Sequence, residues 1–255
     1  MAWILRSCCL LTLGLIALAG VSCNSSNGPD YSASSRQRTS QWNRVLGPVP
    51  VERKVTPVQM LGEVNLKQSF IRPGTVGRKL YRPMKPLYVT IHATENYSPG
   101  ATAWQHARAL HNGALRAHKR KGGNRIGFLT WHFTMQQDLG VQHLPTTEQG
   151  EHADFDGPGN NHSIGIEMCE NQGNNIARTI DRTAKLTAFL MWQHNIPARN
   201  VVPHYHWPRA GVSPEHKDCP HFLLDGKRPG PTWNWFLDRV KAHRDRIVPG
   251  PTPRL

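Results

Sequence analysis

Three stretches of the chain alternate apolar and polar positions with the two-residue period of a strand. In Leu87–His92, Leu87, Val89 and Ile91 fall on one face and Tyr88, Thr90 and His92 on the other. Phe128–Met135 sets Leu129, Trp131, Phe133 and Met135 against Thr130, His132 and Thr134. Ser163–Cys169 sets Ile164, Ile166 and Met168 against Gly165, Glu167 and Cys169. Each strand thus has an apolar face to bury and carries an ionisable side chain (His92, His132 or Glu167) on the other. Paired in one sheet, these three groups would converge on one surface, although a polar sheet face is most often only the solvated one.

A helical period predicts three further elements. Thr102–Ala117 places Trp104, Ala107 and Leu110 in one stripe, and Thr179–His194 does so with Ile180, Ala184, Ala188 and Met191, widened by Leu186, Phe189 and Leu190. The second helix must stop before Ile196-Pro197. Thr232–Ile247 turns Trp235, Phe236 and Val240 inward. Strands mixed with helices predict an α/β or α+β domain with at least one covered sheet face. Residues 24–65 read as a flexible linker, because Asn24–Thr56 is rich in Ser, Asn, Gly, Pro, Arg and Gln and holds no sustained period. Residues 66–248 read as one domain, and residues 249–255 as a loose, Pro-rich tail.

Composition narrows the partners. The chain has 255 residues and a net charge of +14, so an acidic partner is expected: nucleic acid, an anionic membrane surface or an anionic wall polymer. Residues 1–23 read as an export signal, with an apolar run Cys8–Val21 too short for a membrane span and Ala17-Leu18-Ala19 as a small-x-small cleavage site. Gly20-Val21-Ser22-Cys23 also resembles a bacterial lipoprotein signal, which would make Cys23 a lipid-anchored residue. Export takes nucleic acid out of the list and leaves the cell envelope. A monomer is expected. Downstream of the signal only Cys169 and Cys219 remain, which allows one disulfide but no disulfide scaffold.

The segment HYHWPRAGVSPEHKDCPH, residues 204–221, concentrates candidate chemistry. Zinc takes imidazole nitrogen and thiolate sulfur, and a catalytic zinc keeps one position open. A His and Cys219 from this loop would supply two ligands, and His92, at a strand end, is placed to supply a third. His204, His206 and His216 are the alternatives on the loop. The run His118-Lys119-Arg120-Lys121 offers a contact for anionic polymer or simply a solvated basic loop.

Four motifs occur in order: LYVTIHATEN, FLTWHFTMQQD, EHADFDGPGNNHSIGIEMCEN and HYHW…HKDCPH. Together, over Ile71–Leu224, they resemble the type 2 N-acetylmuramoyl-L-alanine amidases, the family of phage endolysin amidases related to peptidoglycan-recognition proteins. The resemblance implies a single α/β domain with a central mixed β-sheet flanked by helices. It implies zinc held by His92, His204 and Cys219, with His204 favoured because His204–Trp207 resembles the family's HxxW. It implies Glu167 as general base and Lys217 as the cation facing the oxyanion. It implies His152, with His132, along the substrate groove, His132 also being a candidate for a supporting role. Gly165, beside Glu167, would leave room for substrate. The implied substrate is peptidoglycan, cut between N-acetylmuramic acid and L-alanine; the alternative is a recognition module that binds muropeptides without cutting. Three departures stand out: Pro208–His216 reads as an insertion, Glu151 stands where the family has Trp, and Asp154-Phe155 interrupts the family's AGD. A ligand role for Cys219 excludes its bridging to Cys169.

Overall fold

The computed structural model describes residues 30–117 and 126–255. The export signal, Cys23 and the run His118–Lys121 lie outside the described residues.

The elements in chain order are α1 (Ser35–Leu46), α2 (Pro57–Val64), β1 (Leu66–Gln68), β2 (Tyr88–Ala93), α3 (Ala103–Asn112), β3 (Phe133–Met135), β4 (Gly140–Gln142), α4 (Pro158–His162), β5 (Ser163–Met168), α5 (Ile176–His194), β6 (Val201–Pro203) and α6 (Pro231–Arg246). The strands form one six-stranded sheet in the order β1-β4-β3-β5-β2-β6. Only β3 and β4 run antiparallel; the other neighbours are parallel. The predicted mixed sheet flanked by helices is therefore the observed fold.

Two parallel strands at the centre explain the layering. Val89 and Ile91 of β2 and Ile164 and Ile166 of β5 are fully buried and pack in one cluster with Ile180, Ala184, Phe189 and Leu190 of α5 and Phe236 and Val240 of α6. The opposite face is covered by α3, whose Ala103 and Ala107 pack on Val141 and Cys169, and by the turn around Trp207, which packs with Ala153 and Val202. With both faces covered, the sheet carries its polar groups into a buried layer, where each needs a partner.

The boundaries differ from expectation in four places. Residues 30–65 are not a bare linker: α1 and α2 dock on the core, with Trp42 4% exposed and Met60 and Val64 fully buried. Their apolar residues are too sparse to show a period, and polar devices replace them. Capping boxes at Ser34/Gln37 and Thr56/Gln59 start the helices. Buried Arg38 donates to Leu224 O at 3.0 Å, Asp225 Oδ1 at 2.6 Å and Thr232 Oγ1 at 3.1 Å. The tail is tied down: Leu255 O accepts from Thr146 N and Oγ1 at 3.1 and 2.6 Å, and Pro253 O accepts from Gln193 Nε2 at 2.8 Å. The helix expected over Thr102–Ala117 ends at Asn112 because Gly113 takes the left-handed conformation, φ 63°. It turns Ala103, His106, Ala107 and Leu110 inward, while Trp104 is 42% exposed. The strand expected from Phe128 is a ladder only over Phe133–Met135, with Phe128 and Thr130 in isolated bridges to Arg116 and Glu151.

An ion-pair network joins α5, α6 and α2. Asp181 accepts from Arg239 Nε at 2.6 Å and His243 Nε2 at 2.8 Å and faces Lys185 Nζ at 3.2 Å. Burial would raise its carboxyl pKa, but His243, Lys185 and Arg239 outweigh burial and hold it well below the usual range. A folded pKa below the unfolded value stabilises the fold above about pH 4 and ceases to do so as pH falls further. Asp181→Asn is expected to cost about 3 kcal/mol at pH 7, a gap that narrows below about pH 4. Urea unfolding of both proteins across pH 7 to 3 checks this, and a gap independent of pH would contradict it.

Candidate metal centre

The sheet register brings the predicted groups together. His92 is the register partner of Glu167 on the neighbouring strand, and both lie on the face opposite the buried Val89, Ile91, Ile164 and Ile166. β6 pairs with β2 so that Pro203 lies opposite Ile91, which delivers His204, the next residue, beside His92. Cys219 closes the group from below, its Sγ accepting from Ala93 N at 3.3 Å. The ligand atoms of His92, His204 and Cys219 lie within 4.8 Å of one another and all three residues are buried. His206 is exposed and edge-on to Trp207, and His216 stacks on Tyr205 with Nδ1 donating to Tyr205 O at 2.7 Å. Of the loop histidines, His204 alone joins this group. Cys169 and Cys219 are both free thiols.

Hydrogen bonding sets the direction of the lone pairs. His204 Nε2 donates to Ala153 O at 3.2 Å, which leaves Nδ1 as an acceptor. His152 Nε2 donates to Ser163 O at 3.2 Å, so its Nδ1 accepts from His92 Nε2 at 3.1 Å, and His92 Nδ1 is left as an acceptor. The two Nδ1 atoms face each other at 2.9 Å. Burial, with His204, His152 and Lys217 adding to it, holds His92 well below the ordinary histidine pKa, and burial carries His204 down to about 3. Both rings are therefore neutral. Two imidazole lone pairs and one sulfur converge with no donor between them, which is the environment of a cation. Nitrogen and sulfur donors in a group of three suit zinc with one position left open.

Glu167 flanks this point. Its Oε1 is 3.9 Å from His92 Nδ1, and its buried Oε2 has no hydrogen-bond partner. Burial pushes the carboxyl up to about 8, against the pull of Lys217. A cation on the triad would draw it back toward the ionised form. Lys217 Nζ pairs with Glu95 Oε1 at 3.1 Å. Burial opposes its charge, but Cys219, Glu95 and Glu167 outweigh burial and hold the ammonium above the ordinary lysine value. The thiol of Cys219 is pushed up by burial and drawn down by Lys217; metal binding would require its thiolate.

The two histidines expected near a groove, His132 and His152, both lie inside the fold. His132 is fully buried, its Nε2 donating to Glu148 O at 2.8 Å and its Nδ1 accepting from Gly165 N at 3.0 Å, so it braces β5 against the neighbouring loop. His152 is 8% exposed with both ring nitrogens engaged, beneath His92 rather than along an open surface. Gly165 makes room for this ring and not for substrate: a Cβ there would stand 2.8 Å from Cγ, Nδ1 and Cδ2 of His152. Strand alternation placed His132 on the polar face but carried no signal for which polar atoms it meets, and His152, in no predicted strand, was placed by the resemblance alone. Glu95, the partner of Lys217, and the carbonyls of Ala153 and Ser163 gave no pattern in the sequence; Glu95, three residues after His92 in a non-periodic turn, was visible only as a charge.

Comparison with known proteins matches residues 82–222, more than half of the chain, to the family described as N-acetylmuramoyl-L-alanine amidase, Amidase_2. The match spans His92, Glu167, His204 and Cys219, while α1, α2 and α6 lie outside it. The chain is 40% identical over 174 residues to the N-acetylmuramoyl-L-alanine amidase XlyA of Bacillus subtilis (strain 168), covering 68% of this chain and 50% of XlyA. It is 35% identical over 181 residues to CwlH of the same organism, covering 70% of this chain and 62% of CwlH. It thus spans between half and two thirds of the length of these curated relatives. Among solved structures, the catalytic domain of XlyA superposes with a TM-score of 0.55 at 38% identity, over 69% of this chain and 99% of that one. PlyL, at 24% identity and a TM-score of 0.52 over 69% of this chain and 95% of that one, shares the fold. By the extent of the family match, and with the motif residues inside it, the chain belongs to the Amidase_2 family of N-acetylmuramoyl-L-alanine amidases.

Proposed function

We propose that the chain is a zinc-dependent N-acetylmuramoyl-L-alanine amidase acting on peptidoglycan. The observation that carries this reading is the convergence of the His92 and His204 Nδ1 lone pairs and the Cys219 sulfur beside the Glu167 carboxyl. His92 and His204 through Nδ1, and Cys219 through Sγ, would hold the ion. When bound, zinc supplies Lewis-acid activation of water and of the scissile carbonyl.

The remaining steps belong to the chain. Water adds to the lactyl carbonyl carbon of N-acetylmuramic acid, and Glu167 takes its proton. Glu167 then returns that proton to the amide nitrogen of L-alanine as the C–N bond breaks, leaving a free carboxyl on the sugar and a free amine on the stem peptide. A carboxyl with one unpartnered oxygen and a pKa raised by burial suits both halves of this transfer. Lys217, kept cationic by Glu95 and its other acidic neighbours, faces the charge that builds on the carbonyl oxygen.

The substrate lies in the cell envelope, and the basic charge favours adhesion to its anionic polymers. Among the described residues no helix is long and apolar enough to cross a membrane. Export and a lipid anchor at Cys23 rest on residues outside the described ones. Chelation separates an enzyme from a recognition module that needs no metal. Incubation with a strong zinc chelator is expected to abolish stem-peptide release, and zinc restores it. Hydrolysis that persists in metal-free protein would overturn the zinc reading, and retention of muropeptides without hydrolysis under any metal would favour the recognition module.

A further inference from the structure

We propose that His152 and Ala153, held as one unit by Asn160, position both imidazoles of the centre, His92 and His204. The proposal rests on the metal reading above and deepens it. A single main-chain step delivers both contacts: the His152 ring accepts from His92 Nε2 at 3.1 Å, and the Ala153 carbonyl accepts from His204 Nε2 at 3.2 Å. Each contact takes the proton-bearing nitrogen of its histidine and leaves Nδ1 bare. In the other tautomer, either ring would aim an N–H into the triad and exclude a cation.

Asn160 fixes the unit. Its Oδ1 accepts from the backbone N–H of both His152 and Ala153, at 2.8 Å each, and its Nδ2 donates to Phe155 O at 2.5 Å and Glu151 Oε2 at 3.3 Å. Asp154 closes the loop on itself, accepting from Gly159 N at 2.8 Å and Asn160 N at 2.9 Å. Asn160 is 2% exposed, and its hydrogen bonds go to His152, Ala153, Asp154, Glu151 and Phe155 rather than to the triad. The ring of His152 is confined as well: a Cβ at Gly150 would stand 2.6 Å from its Cδ2, and one at Gly165 would stand 2.8 Å from three of its atoms. Without the Asn160 acceptor, two buried N–H groups lose their partner together and the unit is free to shift. Both imidazoles would then be affected by one remote substitution.

Zinc affinity of the full chain, by competition with a chromophoric chelator, and the visible absorption spectrum of the cobalt(II)-loaded protein test this. Asn160→Ala is expected to weaken zinc binding about 10- to 100-fold and to shift the cobalt bands. His152→Gln can accept from His92 and donate to Ser163 O, so it is expected to bind more tightly than His152→Leu. The His152 pair decides the matter if Asn160→Ala does not fold. Asp181→Asn serves as a control that lowers stability without altering zinc affinity or spectrum. Wild-type affinity and cobalt spectrum in Asn160→Ala, or equal affinities in the two His152 variants, would overturn the proposal. A wild-type protein that binds neither ion would instead remove the metal reading on which it rests.

Discussion

His204→Ala is expected to bring zinc content from about one ion per chain to near zero and to abolish amide hydrolysis, whereas His206→Ala changes neither. The contrast is sharp because the two histidines differ by one intervening residue in sequence and completely in environment. His204 is buried with Nδ1 facing His92 Nδ1 at 2.9 Å. His206 is exposed against Trp207. Removing one of three donors leaves a pair of ligands that competes poorly with water for the ion. Cys219→Ala belongs with His204→Ala. Metal analysis of the purified variants reads the result directly; zinc retained in His204→Ala but lost in His206→Ala would reverse the assignment.

The second large effect is at Glu167. Glu167→Gln keeps the shape and a polar oxygen but cannot take a proton from water, so kcat is expected to fall about 10²- to 10⁴-fold. Zinc content should stay near the wild-type value, because the carboxylate lies 3.9 Å from His92 Nδ1 and is not one of the three donors. KM should change little. The split between metal content and kcat is the point of the experiment: a Glu167→Gln protein that loses zinc would make Glu167 a ligand or a structural group, and one with wild-type kcat would move the base elsewhere.

Much of this site was legible because strand alternation reports which face a side chain occupies. His92 and Glu167 sit on the polar faces of two strands whose apolar faces, Val89-Ile91 and Ile164-Ile166, define the core. The sheet then pairs them in register. The His-rich loop pointed to a metal, and the resemblance selected His204 among its alternatives. Less accessible were features with no period. β1, β4 and β6 are three-residue strands, too short for alternation to register. α1 and α2 bury few apolar residues and rely on caps and on Arg38, so their composition reads as linker. The role of Gly165 was read backwards, since a missing side chain signals space but not what fills it; here the His152 ring does. The Ala153 carbonyl is a backbone atom, which every residue carries, and the Asn160 side chain acts on backbone N–H groups, so no pattern marks either.

The central claim is that this chain cleaves one particular amide bond, and mass spectrometry of the products tests it most directly. Zinc-loaded protein incubated with a purified muropeptide is expected to release an intact stem peptide with a free L-alanine amino terminus, together with the sugar carrying a free lactyl carboxyl. Cleavage within the glycan or between residues of the stem peptide, or intact muropeptide after incubation with a folded, zinc-containing protein, would contradict the account.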